Sequence, residues 1–144
     1  MKNSVNIVNK KTKFEYDFIQ VETAGIKLKG SEVKSIRMGK ASISEGYCYF
    51  KDGELFIKGM NISDYGFGSS HETVVDRKLL LKKKELRELE KNLITGLTIV
   101  PYRLFTTDRG FVKLEIALAR GKKLYDKRQS IKERDIDRDI KRGN

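Results

Sequence analysis

Short runs in which apolar and polar residues alternate are the main pattern in the first 120 residues of this chain. In the run from Phe14 to Val21, aromatic side chains at every second position are separated by acids, which is typical of a half-buried strand. Residues 26–30 alternate in the same way after a bend at Gly25. In residues 46–59 two aromatic-rich runs meet at an Asp-Gly pair, which favours a tight hairpin turn. The alternation therefore predicts a fold made mainly of β-strands.

The rest of this region adds a second hairpin and two helices to the prediction. Alternating runs at 97–105 and 111–120 flank a turn, and Pro101 must lie at an edge or a bulge because proline has no N–H for the ladder. Ser31 is the expected cap of a helix of one or two turns. Leucines at helical spacing predict a longer amphipathic helix within residues 82–95. About six strands with two to three helices favour a small closed barrel over a sandwich.

Composition divides the chain into three parts. Residues 1–13 contain four lysines and no acid, and we expect a mobile basic N-terminal arm. Residues 14–120 hold the alternating runs and form the predicted barrel domain. Residues 121–144 form a basic tail that, with Arg120, holds ten basic, five acidic and five large apolar residues, too few apolar groups for a core of its own. Opposite charges three residues apart favour a helix there, so we expect the tail to be disordered when free and helical when bound.

Composition also argues against several functional classes. The chain has one Cys and one His, which permits neither an internal disulfide nor a structural zinc site with about four such ligands. No run approaches the roughly 18 apolar residues of a membrane helix, and no signal peptide is recognisable, so we expect a cytoplasmic protein. Cys48 lies in an alternating run typical of a core position, and His71 lies in a long polar loop, residues 60–76. No nucleophile with its base and no phosphate-binding glycine loop is recognisable, so we expect neither an enzyme nor a cofactor.

The formal net charge of +11 is concentrated in the N-terminal arm, in residues 77–91 and in the tail. A polyanion is the expected partner, and Tyr125 among tail cations suits base stacking with phosphate neutralisation. RNA is favoured over DNA because no DNA-binding motif is recognisable and small barrels bind folded or single-stranded RNA. A membrane surface fits less well, since acids share the tail and its apolar stripe is narrow. A general RNA- or ribosome-associated barrel and a small hydrolase remain as alternatives.

Three segments resemble a known family. They read AGIKLKGSEVKSIRMGK (24–40), RKLLL (77–81) and ARGKKLYDKR (119–128). They are similar to the SsrA-binding protein family, also called small protein B, and the likeness extends over nearly the whole chain. The resemblance implies an oligonucleotide-binding (OB) barrel that binds the tRNA-like domain of transfer-messenger RNA and delivers it to stalled bacterial ribosomes for trans-translation. The partners that it implies are transfer-messenger RNA and the ribosome, for a protein that is monomeric when free.

The resemblance also implies roles for particular residues. Asn9 and Leu80 match barrel positions that support RNA binding, and with neighbouring charges they complete the expected RNA-binding set: Asn9, Lys10, Lys11, Glu32, Lys34, Arg77, Lys78 and Leu80. The family tail threads into the empty mRNA channel, where Tyr125 matches an aromatic residue that stacks in the decoding centre. The expected ribosome-binding residues of the tail are Arg120, Lys122, Lys123, Tyr125, Asp126, Lys127 and Arg128.

The chain departs from the family pattern at several positions. Phe14 precedes Glu15 where the family commonly has His before an acid. Thr23 stands where the family often has a glutamate before the AGI segment. The contact between this acid and RNA that the family pattern implies is therefore not expected at Thr23. Residues 70–73 replace a usual Asn-His-Asp-Pro, so no role is assigned to His71.

Overall fold

The computed structural model of the chain describes residues 5–63 and 72–122 of its 144 residues. In these two ranges it contains three helices and nine strands. The helices are α1 (Lys10–Glu15), α2 (Gly30–Arg37) and α3 (Lys83–Asn92). The strands are β1 (Asn6–Val8), β2 (Tyr16–Ile26), β3 (Ala41–Ser42), β4 (Tyr47–Lys51), β5 (Glu54–Lys58), β6 (Asn61–Ile62), β7 (Arg77–Leu80), β8 (Leu97–Thr106) and β9 (Val112–Gly121). The predicted mainly β class is confirmed.

Seven strands form one antiparallel sheet in the order β1-β8-β4-β5-β7-β2-β9, and β8 also pairs with β9. Each of the six longer strands, β2, β4, β5, β7, β8 and β9, is therefore hydrogen-bonded to two others of the six. β1 is added beside β8, and β3 and β6 form a separate two-stranded sheet. β8 is therefore bonded to β4 on one side and to β9 on the other, and this places strands that are far apart in the sequence beside one another.

Both predicted hairpins are confirmed. Asp52 and Gly53 join β4 to β5 with positive φ angles of 53° and 77°, the backbone that the Asp-Gly pair favours. β8 and β9 pair along their length, and their register shifts between Pro101 and Arg103. The proline therefore lies at a bulge, as its missing N–H requires. The longer predicted helix is confirmed as α3.

The hydrophobic core is built from inward-facing residues of the strands and from one face of each of α2 and α3. Leu114 and Ile116 of β9, Ile36 of α2 and Leu89 of α3 have no exposed surface, and burial of each such side chain stabilises the fold by about 1.5–3 kcal/mol. Cys48 of β4 is buried in the same core, and this burial raises the pKa of its thiol. The interpretation of Cys48 as a small core residue agrees with this position.

The expected mobile arm is wrong for its described part. From Val5 onward the chain is ordered, since β1 pairs with β8 and α1 follows directly. A three-residue edge strand and a six-residue helix are too short to show a clear hydrophobic period. Residues 1–4 lie outside the described ranges, and the division into 1–13, 14–120 and 121–144 stays a prediction.

Two strand expectations near the middle of the chain also need correction. β2 continues without a break through Gly25 to Ile26, and residues 27–29 form no strand. β7, which was not predicted from the sequence, lies between β5 and β2 in the sheet. The polar loop expected at 60–76 includes β6 and a bridge between Asn61 and Val74, and His71 lies outside the described residues.

The short helix is confirmed, but its cap is not Ser31. α2 begins at Gly30, and its N-cap is Lys29. The backbone N–H of Lys29 donates to Oε1 of Glu32 at 2.8 Å, so the acid at the third helical position satisfies the cap residue. Glu32 is thereby oriented toward the body of the protein.

Candidate nucleic-acid interface

β7 begins with an arginine that is enclosed by protein. The Arg77 side chain is 2% exposed, and its Nε donates to Oε2 of Glu32 at 2.7 Å. Its terminal nitrogens donate to four backbone carbonyls, those of Met60 (2.9 Å), Val75 (3.2 Å), Glu72 (3.2 Å) and Thr73 (3.3 Å). The guanidinium therefore fastens α2 and the segment 72–75 to the sheet, and neither member of the ion pair presents its charge at the surface.

Asn9 also lies inside the fold. Its side chain is buried, and Nδ2 lies 3.4 Å from the carbonyl oxygens of Ile43 and Pro101. Its backbone N–H donates to the carbonyl of Tyr102 at 2.7 Å. Asn9 thus ties the start of α1 to the bulged part of β8.

An open groove of about 350 Å³ lies where β2, β7, α2 and the start of β9 meet. Leu80 and Phe111 line it and keep 50% and 62% of their surface exposed. Gly25 on the neighbouring strand pairs with Leu80, and a Cβ there would lie 3.3 Å from the leucine Cβ. Arg37 and Lys113 add positive charge to the lining. Exposed apolar and aromatic groups beside cations suit bases and phosphates together.

The other basic residues predicted to bind RNA are exposed or half-buried. Lys10 and Lys11 lie on α1, and Lys11 Nζ is 3.9 Å from Glu15, four residues later. Lys34 lies on the exposed side of α2. Lys78 faces outward from β7, and its Nζ is 3.7 Å from the Glu54 carboxylate. These lysines are placed at the surface, whereas Asn9, Glu32 and Arg77 are placed beneath it.

The start of the basic tail is fixed to the folded body. β9 ends at Gly121, and the backbone N–H of Lys122 then donates to the carbonyl of Glu15 at 2.8 Å. Lys122 Nζ lies 3.9 Å from Asp17, and its side chain is 14% exposed. Arg120 is exposed. The remaining predicted tail residues, Lys123, Tyr125, Asp126, Lys127 and Arg128, lie outside the described ranges.

Sequence reasoning missed Arg37, Phe111 and Lys113. Arg37 Nη2 donates to the carbonyl of Gly110 at 3.0 Å and so links α2 to the β8–β9 turn. A signal for Phe111 was present, because Lys113 lies two positions later and side chains two apart share one face of a strand. A charged residue on that face indicates that Phe111 points outward. No local signal places Arg37 beside this turn, since the contact joins residues 73 positions apart.

Within residues 5–63 and 72–122, no group of three or more His, Cys, Asp or Glu side chains is placed to hold a metal ion. None of the helices in those ranges is long and apolar enough to cross a membrane. The groups that the groove offers are cations, exposed apolar side chains and backbone at a glycine, which in RNA-binding proteins contact phosphates and unpaired bases.

Comparisons with known proteins identify the family of this chain. The family described as SmpB protein matches residues 6–144. The SsrA-binding protein of Cytophaga hutchinsonii is 57% identical over 142 residues, covering 96% of this chain and 93% of that protein. The SsrA-binding protein of Christiangramia forsetii is 52% identical over 145 residues, covering 99% and 92%. A chain from the solved structure "tmRNA-SmpB: a journey to the center of the bacterial ribosome" has a TM-score of 0.69 and 39% identity, covering 83% of this chain and 85% of that chain. The chain therefore belongs to the SmpB protein family.

Proposed function

We propose that this protein is a non-enzymatic RNA-binding adaptor that binds the tRNA-like domain of transfer-messenger RNA and delivers it to stalled bacterial ribosomes for trans-translation. The observation that carries the proposal is the likeness, over most of the chain, to a chain of the solved structure named for tmRNA-SmpB and the bacterial ribosome. The relatives named SsrA-binding protein support the same RNA partner. This role assigns the protein to the cytoplasm, where ribosomes translate.

The body of the protein is proposed to be a closed barrel of the OB type. The support is the pairing pattern, in which the six longer strands each have two neighbours within the set and β8 is bonded to both β4 and β9. Such closure leaves no free edge among these six strands. OB barrels use one face and its flanking loops for oligonucleotides, and the groove beside Leu80 is lined by the β8–β9 turn as well as by strands.

The proposed RNA contacts are divided between surface residues and residues that shape the surface. Lys10, Lys11, Lys34 and Lys78 neutralise phosphates, and Leu80 contacts RNA where Gly25 allows close approach of the backbone. Asn9, Glu32 and Arg77 hold the elements that carry this surface in position, because their polar groups form hydrogen bonds within the protein. The RNA-binding set expected from sequence thus contains two kinds of residue with different consequences on mutation.

The tail is proposed to act on the ribosome, where it occupies the empty mRNA channel and becomes helical. Its cations would neutralise ribosomal RNA, and Tyr125 would stack in the decoding centre. The bonds of Lys122 to the residues around Glu15 support this division, since they fix the point at which the tail leaves the body.

Truncation after Lys122 tests the division of labour, because it removes residues 123–144 and keeps the Lys122–Glu15 hydrogen bond. We expect the truncated protein to bind a transcript of the tRNA-like domain with nearly the affinity of the full chain and to fail in a reconstituted tagging reaction. Tyr125→Ala should lower tagging more than RNA affinity, and Tyr47→Ala, an exposed tyrosine of the body, is its matched control. Equal loss of both activities on truncation would contradict the proposal, as would full tagging without the tail.

A general ribosome-associated barrel differs from the proposed function in its RNA. We expect transfer-messenger RNA to be the RNA that co-purifies with the protein from its own cells. Recovery of mixed ribosomal RNA without enrichment of transfer-messenger RNA would favour the general barrel.

A further inference from the structure

A second cavity, of about 450 Å³, shares Leu28 of its lining with the groove. It is open to solvent and is lined by the segment 27–29, by residues of β5 and β7, and by residues 72–76. Its apolar lining includes Leu28, Phe56 and Val75. Its size falls within the range of about 300–1,000 Å³ that is typical of small-ligand sites. Because Leu28 lines both spaces, the cavity continues the surface on which RNA is proposed to bind.

An aromatic ring in this cavity is held in place by its neighbours. Phe56 of β5 pairs across the sheet with Tyr49 of β4, and the two rings stack with centroids 5.7 Å apart and planes 20° apart. The Tyr49 hydroxyl donates to Oδ2 of Asp76 at 2.5 Å. Since Asp76 also lines the cavity, the stacked pair is joined to the opposite wall. The ring therefore needs little reordering when a planar ligand arrives.

The wall formed by residues 72–76 is fixed as well. Arg77 donates to the carbonyls of Glu72, Thr73 and Val75 from inside the fold. Its charge is neutralised by Glu32, so the guanidinium holds this wall without competing for a ligand. The walls of the cavity are thus held in place by contacts within the protein.

The charges of the cavity are of two kinds. Lys27, Lys29 and Lys78 line it with cations, which suit a phosphate. The acidic residues Glu72 and Asp76 also line it, and the Asp76 carboxylate already accepts from the Tyr49 hydroxyl. Carboxylates accept hydrogen bonds from the N–H groups of a base. A ligand with a flat π face, N–H donors and an attached anionic group matches this combination.

We propose that this cavity binds a single unpaired nucleotide of the RNA, with its base against Phe56 and its phosphate near Lys27 and Lys29. The proposal rests on the proposed RNA-binding function and adds to it one nucleotide that leaves the RNA stack. Stacking on an aromatic side chain is tolerant of sequence. Selectivity among bases would therefore come from the carboxylates of Glu72 and Asp76.

The test compares Phe56→Leu with Phe105→Leu, because both changes replace a phenyl ring by a branched apolar side chain and Phe105 lines neither the cavity nor the groove. The probe is a fluorescent transcript of the tRNA-like domain, titrated at several salt concentrations. Phe56→Leu should weaken binding by about 5- to 150-fold, the range measured for loss of one stacked base. The slope of log affinity against log salt should not change, because no charge is lost. Phe56→Tyr should restore binding, and urea unfolding should find each variant folded.

Lys27→Gln provides the electrostatic counterpart. It should reduce the salt slope by about 0.7–0.9, the contribution of one neutralised phosphate. Parent affinity for Phe56→Leu, or a loss equal to that of Phe105→Leu, would overturn the inference and leave the proposed function in place.

A second probe separates the inference from the proposed function. If the full chain does not bind the transcript, the proposed function fails, and a labelled hexamer of uridine then tests the cavity. Binding of the hexamer that depends on Phe56 would support the nucleotide site without the transfer-messenger role. Binding that is insensitive to Phe56→Leu, or no binding at all, would overturn the inference as well.

Discussion

Replacing Glu32 by alanine removes the carboxylate that neutralises Arg77 and leaves the rest of the guanidinium network in place. The two side chains are 5% and 2% exposed, and their 2.7 Å contact lies inside the fold. Removing one member of such a pair leaves an uncompensated buried charge, which costs about 3–5 kcal/mol. Domains of this size are stable by about 5–15 kcal/mol in total. Glu32→Ala should therefore remove a large share of the stability.

Two other variants set the scale for this loss. Glu32→Gln also removes the neutralising charge but keeps one oxygen that can accept from Arg77, so the loss should be smaller than that of Glu32→Ala. Glu54→Ala breaks the Lys78–Glu54 pair, in which the groups are 3.7 Å apart and 38% and 43% exposed. An exposed pair of this kind contributes about 0–1 kcal/mol. The expected order of destabilisation is Glu32→Ala, then Glu32→Gln, then Glu54→Ala.

The assay is urea unfolding of the full chain followed by circular dichroism, with the free energy of unfolding extrapolated linearly to water. A Glu32→Ala loss no greater than that of Glu54→Ala would show that the Arg77–Glu32 ion pair is not a buried structural element. RNA affinity adds a second criterion. If Glu32→Gln kept the parent's stability but lost binding to the tRNA-like domain, Glu32 would contact RNA directly and would not act from beneath the surface.

Two further predictions concern the hairpin and the aromatic pair. Alanine at Gly59 (φ 82°) would bring its Cβ into forbidden contact with the Glu45 carbonyl, whereas alanine at Gly53 (φ 77°) meets open space. Both should lose about 1–2 kcal/mol for the left-handed backbone, and urea unfolding should find the Gly59 variant clearly less stable; equal losses would contradict the contact. The hydrogen bond to Asp76 is the main cause that raises the pKa of Tyr49 above its ordinary 10.0, so Asp76→Asn should lower this pKa. The measurement is an ultraviolet pH titration, in which the signal lost in Tyr49→Phe identifies the Tyr49 titration. Because the folded state holds the Tyr49 proton more tightly than the unfolded state, the hydrogen bond stabilises the fold below pH 10, and this stabilisation is lost as the pH rises through the raised pKa. A Tyr49 titration unchanged by Asp76→Asn would contradict the role of the hydrogen bond.

The elements that the sequence predicted correctly are those with local signals. The β4–β5 hairpin was predicted because Asp52 and Gly53 readily adopt positive φ angles, and the structure has both. The bulge at Pro101 was predicted because proline has no N–H to donate to the ladder, and this is true whatever the rest of the fold is. α3 follows from leucines on one helical face, two of which, Leu86 and Leu89, are buried.

The parts that could not be predicted depend on contacts between distant segments. Nothing in the local sequence distinguishes Arg77 from an RNA-binding arginine, because its burial depends on Glu32, 45 positions earlier. The same is true of β1, which is ordered only because β8 lies beside it. Basic residues within and beside the family segments were expected to bind RNA from the resemblance and from their charge. Charge gives the partner's class, but the fold decides which cation reaches it.

β7 shows how one short strand can contribute both to the interior and to the surface. Its side chains alternate between faces, so Arg77 and Leu79 are buried while Lys78 is half-buried and Leu80 is half exposed. The pairing of Leu80 with Gly25 fixes this register. A shift by one residue would expose the guanidinium that Glu32 neutralises and would bury Lys78 and Leu80 instead. The ion pair beneath the surface therefore stabilises the fold and also selects the register that places the lysine and the leucine, both proposed RNA contacts, at the surface.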